Sequence, residues 1–254
     1  MSVKPGKARA LNYRCRLAVD EAHGVISHVQ ADFTDRRDCT LLPSLVEPLH
    51  QRLLAQDLPL ADLVADTNYS NGVNYALLEA RGITPWIPVF GKYKPEIDRF
   101  RYEAETDCFT CLADKTLSFK SFYKDQDGGL AKVYRAASRD CRLCPSKPSC
   151  TPNVKKRQLI RTAYDAHYRR AFARQQSRPG QRKRGLRQRT IEPVLQHYGL
   201  RRVNTRGRSS AHKAMLLTAI ALNLKKLLKH QPKQTRCLAI ALPAPPLERQ
   251  FLAY

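Results

Sequence analysis

The sequence predicts an α/β fold in which helices flank a sheet, and three observations carry that prediction. Residues 11–20 and 25–33 have strand-like compositions and are joined by a turn-forming cluster at residues 20–24. Apolar residues then recur at helical spacing over residues 41–54. Finally, an apolar run at residues 60–65, a helical segment at 73–81 and a strand-like segment at 84–90 alternate, and this order indicates a helical crossover on a sheet.

The rest of the chain divides by composition. Residues 91–153 break into short polar pieces and suggest an insertion. Residues 155–174 predict a basic helix, residues 177–185 a flexible linker, and residues 190–198 and 211–229 further helices. The apolar face of the last helix is predicted to comprise Leu216, Leu217, Ile220, Leu224, Leu227 and Leu228. We therefore expect a core begun by residues 1–90 and completed by residues 154–230, an insertion at 91–153, and a Pro-containing tail at 231–254.

Positive charge is concentrated in one stretch. Residues 155–236 carry 23 of the 45 Lys and Arg but only two of the 22 acids, so they hold nearly all of the net charge of +23. Such a surface attracts phosphate backbones whatever their sequence, through counterion release. No apolar run approaches the ~20 residues of a membrane span. The composition predicts a cytoplasmic protein that binds nucleic acid and no membrane.

Five of the eight cysteines fall inside the predicted insertion. Cys141 and Cys144 have the two-residue gap with which two thiolates reach one metal ion, and Cys150 follows closely. A fourth ligand would come from Cys108 or Cys111. The sequence leaves three alternatives open: a structural Zn²⁺, an iron–sulfur cluster and free thiols.

Two carboxylates stand out by their positions. Asp66 follows the apolar run at 60–65, so it lies at the edge of an α/β sheet where ligands usually bind. Glu192 is isolated among arginines, near the start of a predicted helix. Each has an ordinary alternative reading: Asp66 as a loop residue bonded to backbone amides, and Glu192 as a helix-start acid.

The surroundings of these acids resemble a known family. Leu-Val-Ala-Asp66-Thr-Asn-Tyr-Ser-Asn-Gly resembles the segment around the second catalytic Asp of DDE transposases of bacterial insertion sequences. Arg-Thr-Ile-Glu192-Pro-Val-Leu, with Ala-Leu-Asn223-Leu-Lys-Lys-Leu further on, is similar to the segment around the family's catalytic Glu. The cysteine-bearing insertion resembles that of one branch of the family.

The resemblance implies a ribonuclease-H-like mixed sheet flanked by helices, in which two Asp and one Glu hold two Mg²⁺ or Mn²⁺ ions for DNA cleavage and strand transfer. Asp66 and Glu192 would be two of the three acids. The family pattern selects Cys111 to join Cys141, Cys144 and Cys150 as a zinc ligand. The expected partners are transposon ends and target DNA, with a homodimer as the assembly usual in this class. The residues expected to contact DNA are Arg184, Arg187, Arg189, Arg201, Arg202, Arg206 and Arg208.

The chain departs from the family pattern in two places. The hairpin at 11–33 matches the family's second and third strands, so we expect the first strand and its Asp to be missing and the chain alone to be inactive. Gly199 occupies the position of a family Lys, for which Arg201 or Arg202 could substitute. The alternatives are a non-catalytic DNA-binding remnant or repressor of an intact transposase, and a degenerate product with no activity.

Overall fold

The computed structural model of the chain describes residues 13–91, 93–124, 128–197 and 205–230, without the side chains of residues 191–197. It is a mixed α/β protein with three sheets in the described ranges. The strands are β1 Tyr13–Val19, β2 Ile26–Phe33, β3 Asp62–Val64, β4 Thr84–Trp86, β5 Phe100–Glu103, β6 Cys108–Cys111, β7 Thr116–Lys124, β8 Leu130–Ala136 and β9 Gln158–Thr162. The helices are α1 Asp38–Leu54, α2 Gly72–Ala80, α3 Ser138–Arg142, α4 Lys147–Cys150, α5 Asp165–Gln176, α6 Arg178–His197 and α7 Arg208–Lys229.

The first half has the predicted order of elements. β1 and β2 form an antiparallel hairpin closed by Gly24 in the left-handed region, at φ 66°. β3 and β4 pair in parallel, with α2 in the crossover between them. Helix α1 packs its leucines against α2, and this core closes around Val46, Tyr75 and Leu78. The hairpin and the parallel pair are separate two-stranded sheets rather than the single sheet that the sequence suggested.

The predicted insertion contains regular structure. β5 to β9 form one antiparallel sheet in sequential order around a core that includes Phe109, Leu117 and Tyr134. Its last strand, β9, lies where the sequence predicted the start of a basic helix, so that prediction is wrong for residues 158–162. The segment is a strand because Leu159 is buried in the sheet's core while its neighbours face outward, a period of two.

The predicted flexible linker at 177–185 is also wrong, because α6 runs unbroken through it. Ser177 ends α5, and its hydroxyl accepts a hydrogen bond from the Gly180 amide at 3.2 Å, which starts α6. A Cβ on Gly180 would lie 2.1 Å from the Arg174 carbonyl oxygen. This glycine therefore permits a close approach of two helices instead of making the chain flexible.

Helix α7 packs on the hairpin with the face opposite to the predicted one. Ala211, Met215, Ala219 and Leu222 are buried against β2, whereas the predicted leucine face is exposed. The small alanines allow the helix to approach the strand closely. The orientation is fixed by Asn223, whose side chain accepts from the Ile26 amide at 2.9 Å and donates to the Ile26 carbonyl at 2.8 Å.

Helices α2 and α5 are joined by one buried carboxylate. Glu79 of α2 accepts hydrogen bonds from Arg170 and Arg174 of α5 and lies 2.5 Å from His167. Partial burial raises the pKa of Glu79, but these hydrogen bonds outweigh it and lower the pKa to about 2. The ion cluster thus fixes α5 against α2, the crossover helix of the parallel strand pair.

Candidate metal and DNA site

Asp66 lies just beyond the carboxyl end of β3, as the sequence predicts. It starts a single turn of 3-10 helix, Thr67–Tyr69, and its side chain accepts a hydrogen bond from the Thr67 hydroxyl at 2.9 Å. The Asp66 side chain is 39% exposed, so one carboxylate edge remains open to solvent. In a parallel β-α-β unit this end of the strands is the usual place for ligands.

Helix α6 runs along β3, from its first residue to Asp66 beyond its end. Lys183 Nζ donates to Asp62 at the start of β3, at 3.3 Å, and to Glu21 just after β1, at 2.8 Å. One turn further along, Arg187 Nη2 lies 3.8 Å from the Asp66 carboxylate. Two successive turns of the same helix therefore contact two acids on the β3 segment.

An open cleft of about 560 Å³ begins at Thr67, next to Asp66 in the chain. Its walls come from the residue after Asp66, from the end of β4 and from both sides of the α5–α6 junction. They are lined by Thr67, Pro88, Val89, Gln175, Gln176, Gln181 and Arg184. Gln175 is held by the Val89 amide, which donates to its side-chain oxygen at 2.8 Å. The cleft is lined by amides and a guanidinium, groups that bond phosphate, sugar or base edges.

The predicted site residues on α6 share this helix but are only partly described. Glu192 lies in α6 five positions after Arg187, about 7.5 Å further along the axis, and its side chain lies outside the described residues. Arg184 and Arg189 are exposed on α6, and Arg187 is half-buried beside Asp66. The structure thus joins Asp66 to the helix that carries Glu192 but does not describe a contact between the two acids.

The other predicted DNA contacts lie before and at the start of α7. Arg206 and Arg208 are exposed on either side of Gly207, whose amide donates to the Tyr13 hydroxyl at 2.6 Å and so ties this corner to β1. Arg201 and Arg202 lie outside the described residues.

The four predicted zinc ligands lie around the five-stranded sheet. Cys111 ends β6 and Cys141 lies in α3, and both pack at the margin of the sheet's core. Cys144 follows α3, and Cys150 ends α4. Across the described ranges, no group of three or more His, Cys, Asp or Glu side chains is arranged to hold a metal ion. Zinc therefore stays a prediction from the cysteine spacing, and this arrangement does not support it.

Two groups at the site were not predicted from the sequence. Lys183, which spans two strand ends, lies in the run Arg182-Lys183-Arg184 and carries no signal that separates it from its neighbours. The glutamines of the cleft were also missed, because Gln175 and Gln176 precede a stretch that was read as a linker. Only the helical junction at Ser177 brings them to the strand ends.

Comparison with known families identifies one part of the chain. A family model described as a transposase DDE domain matches residues 110–228, from the end of β6 to the end of α7. This match confirms the recognition of a DDE-type transposase domain in that part of the chain, and the family implies a DNA partner. The matched stretch includes Glu192 and the exposed arginines of α6, whereas Asp66 precedes it. No curated protein and no solved structure gave a match.

None of the described helices is long and apolar enough to cross a bilayer.

Proposed function

We propose that the chain forms part of the catalytic core of a DDE transposase, which cleaves and transfers DNA strands, and that Asp66 and Glu192 are two of its divalent-metal ligands. The observation that carries this proposal is the contact between Arg187 and Asp66, which brings the helix of Glu192 to the end of β3. Carboxylate oxygens are the ligands that Mg²⁺ and Mn²⁺ prefer. When bound, the metal would stabilise the charge that develops on phosphodiester oxygens.

We further propose that the hairpin and the parallel strand pair, although they form separate sheets, belong to one ribonuclease-H-like core. The support is Lys183, whose ammonium bonds Glu21 beyond β1 and Asp62 at the start of β3 and so keeps the two pairs close. In this arrangement residues 1–90 and 154–230 belong to the core, and residues 91–153 are inserted. Because β9 is part of the five-stranded sheet, the insertion extends past residue 153 to the end of β9.

The DNA backbone would lie across the exposed face of α6 and the start of α7. Arg184, Arg189, Arg206 and Arg208 are exposed there. No acidic residue occurs on α7, and Glu192 is the only one on α6, so nothing on these helices opposes phosphate binding apart from the proposed metal ligand. By this proposal the protein acts on transposon ends and target DNA in the bacterial cytosol, as a homodimer.

The second candidate is a DNA-binding remnant or repressor that does not cut DNA. It is favoured by the described parts of the chain, in which no three His, Cys, Asp or Glu side chains are grouped to hold a metal ion. We propose that this chain alone binds DNA without cleaving it, because the family's site needs three carboxylates. Metal-dependent nicking of plasmid by the purified chain, lost in Asp66→Ala, would contradict this.

A cleavage experiment tests whether the two acids share a metal. Fe²⁺ replaces Mg²⁺ at oxygen-ligand sites, and with ascorbate and peroxide it cuts the polypeptide close to the bound ion. We expect cuts near residue 66 and near residue 192, and both should disappear in Asp66→Ala and in Glu192→Ala. Asp62→Ala is the matched control, since Asp62 bonds Lys183 and should not affect the pattern. Cuts near one acid alone would end the proposal.

A further inference from the structure

Helix α7 is apolar on two opposite faces. One face, with Ala211, Met215, Ala219 and Leu222, is buried on the hairpin. The opposite face is a continuous exposed stripe, which we call the α7 stripe. It consists of Leu217 (68% exposed), Ile220 (53%), Leu224 (53%), Leu227 (68%) and Leu228 (87%). Single exposed leucines are normal on protein surfaces, but five along one helix mark an interaction site.

The spacing of the stripe has the regularity of a helix–helix seam. Leu217, Ile220, Leu224 and Leu227 follow one another at intervals of three, four and three residues. Alternation of three and four places successive side chains along one line of a helix, as in coiled coils. The stripe spans about 16 Å of the helix axis, enough for three turns of a partner helix.

The stripe does not result from a misplaced helix. Asn223 makes two hydrogen bonds to the Ile26 backbone, and Lys226 Nζ donates to the His23 carbonyl at 2.9 Å. These contacts fix the rotation of α7 about its axis. Turning the leucines inward would break all three hydrogen bonds. It would also push bulky side chains against β2, where Ala211 and Ala219 now allow close packing.

Charge selects the partner. Helix α7 carries five Lys and Arg and no acid, and the exposed Lys213 lies one turn before Leu217 of the stripe. A second copy of α7 would bring lysines beside lysines along the seam, which costs free energy at each pair. We propose that the α7 stripe is a docking site for an amphipathic helix whose apolar seam is flanked by Asp or Glu.

Synthetic peptides of about 21 residues test this proposal with the full-length chain. The probe has leucines at the seam positions and glutamates beside them; a second peptide has lysines in place of the glutamates; a third is a scrambled version of the probe. Fluorescence anisotropy should show saturable binding of the probe alone. Equal binding of the scrambled peptide would mean simple charge attraction and would overturn the proposal.

Variants locate the site. Leu224→Ala with Leu227→Ala should weaken binding of the probe by at least about tenfold. Leu224→Glu should do the same, whereas Leu58→Glu, an equal charge change at a leucine 57% exposed elsewhere, should leave affinity within about twofold. Unchanged binding in the Leu224 variants would overturn the proposal. Sedimentation showing a dimer of the chain that Leu224→Ala dissociates would also overturn it, because the occupant would then be a second copy.

Discussion

The guanidinium of Arg187 lies 3.8 Å from the carboxylate of Asp66, which links the basic helix α6 to the end of β3. A positive charge at this position competes with a metal ion for the same oxygens. The guanidinium balances the charge of Asp66 when no cation is bound, and it would lower the affinity for Mg²⁺ if Asp66 is the metal ligand that we propose.

Arg187→Gln is therefore expected to tighten Mn²⁺ binding by about fivefold, since it removes a nearby positive charge that repels the ion and that solvent only partly screens. Electron paramagnetic resonance of free Mn²⁺ measures the affinity. Arg189→Gln, an exposed change on the same helix, should alter it little. Weaker Mn²⁺ binding in Arg187→Gln would mean that the arginine helps to build the site.

By the proposed function, DNA binding should depend on salt through the arginines of α6 and of the segment that leads into α7. For a short duplex, Arg184→Ala and Arg206→Ala should each reduce the slope of log K against log salt by about one unit, because each removes a phosphate contact. Fluorescence anisotropy at several salt concentrations measures the slope. Arg139→Ala is the control, as Arg139 is 88% exposed on the insertion. Equal effects of all three would refute a localised DNA surface.

Loss of Asn223 should destabilise the packing of α7. Asn223→Ala removes two hydrogen bonds and leaves both polar groups of Ile26 without that partner, at an expected cost of about 2 kcal/mol. Urea denaturation followed by circular dichroism measures this, with Lys213→Ala on the same helix as control. A change below about 0.5 kcal/mol would show that α7 is held mainly by its apolar face.

Local patterns predicted the first half of the fold well. The hairpin, α1 and the β3–α2–β4 unit follow from alternating and helical periodicity within short segments. The place of Asp66 just after β3 follows from the position of that strand's end. These features depend on residues close in sequence. The class of protein was predicted as well, because the motif around Glu192 is specific.

The errors arose where distant residues decide. Both faces of α7 are apolar. The face with small side chains is the buried one because it fits the surface of β2 and because Asn223 bonds the Ile26 backbone. The glycine at 180 signals a linker in sequence, and its close contact with Arg174 is visible only in three dimensions. β9 lies beside β8 through pairing of residues 131–135 with 158–162, which no short window contains.

The lowered pKa of Glu79 predicts that the stability of the fold depends on pH. Its pKa is lowered from 4.5 to about 2 on folding, so its stabilising contribution is complete above pH 4.5 and is lost as the pH falls toward 2. Glu79→Gln should cost about 2 kcal/mol at neutral pH and less at pH 3, because the wild type has by then lost part of the benefit. Urea denaturation at both pH values measures this. Asp98→Asn, at an exposed pair with Lys94, is the control and should change stability little.

A structural zinc ion is one of the three alternatives that the cysteine spacing leaves open, and elemental analysis of the purified protein tests it directly. Cys144→Ser should abolish the zinc, and Cys15→Ser should keep it, since burial of Cys15 raises the pKa of its thiol to about 11 and disfavours the thiolate that a metal requires. Protein without zinc would leave these cysteines as free thiols, in agreement with their present arrangement.

Ser177 ends one helix and begins the next with no residue between them. Since α5 is fastened to α2 by Glu79 and α6 starts from the last turn of α5, a shift of the parallel strands would swing α6 with them. DNA bound to α6 would then move with the helix as a rigid unit about the α5–α6 junction, and not independently of it. Insertion of a few glycines after Ser177 should leave the affinity for DNA unchanged. It should, however, remove the fixed position of α6 relative to Asp66.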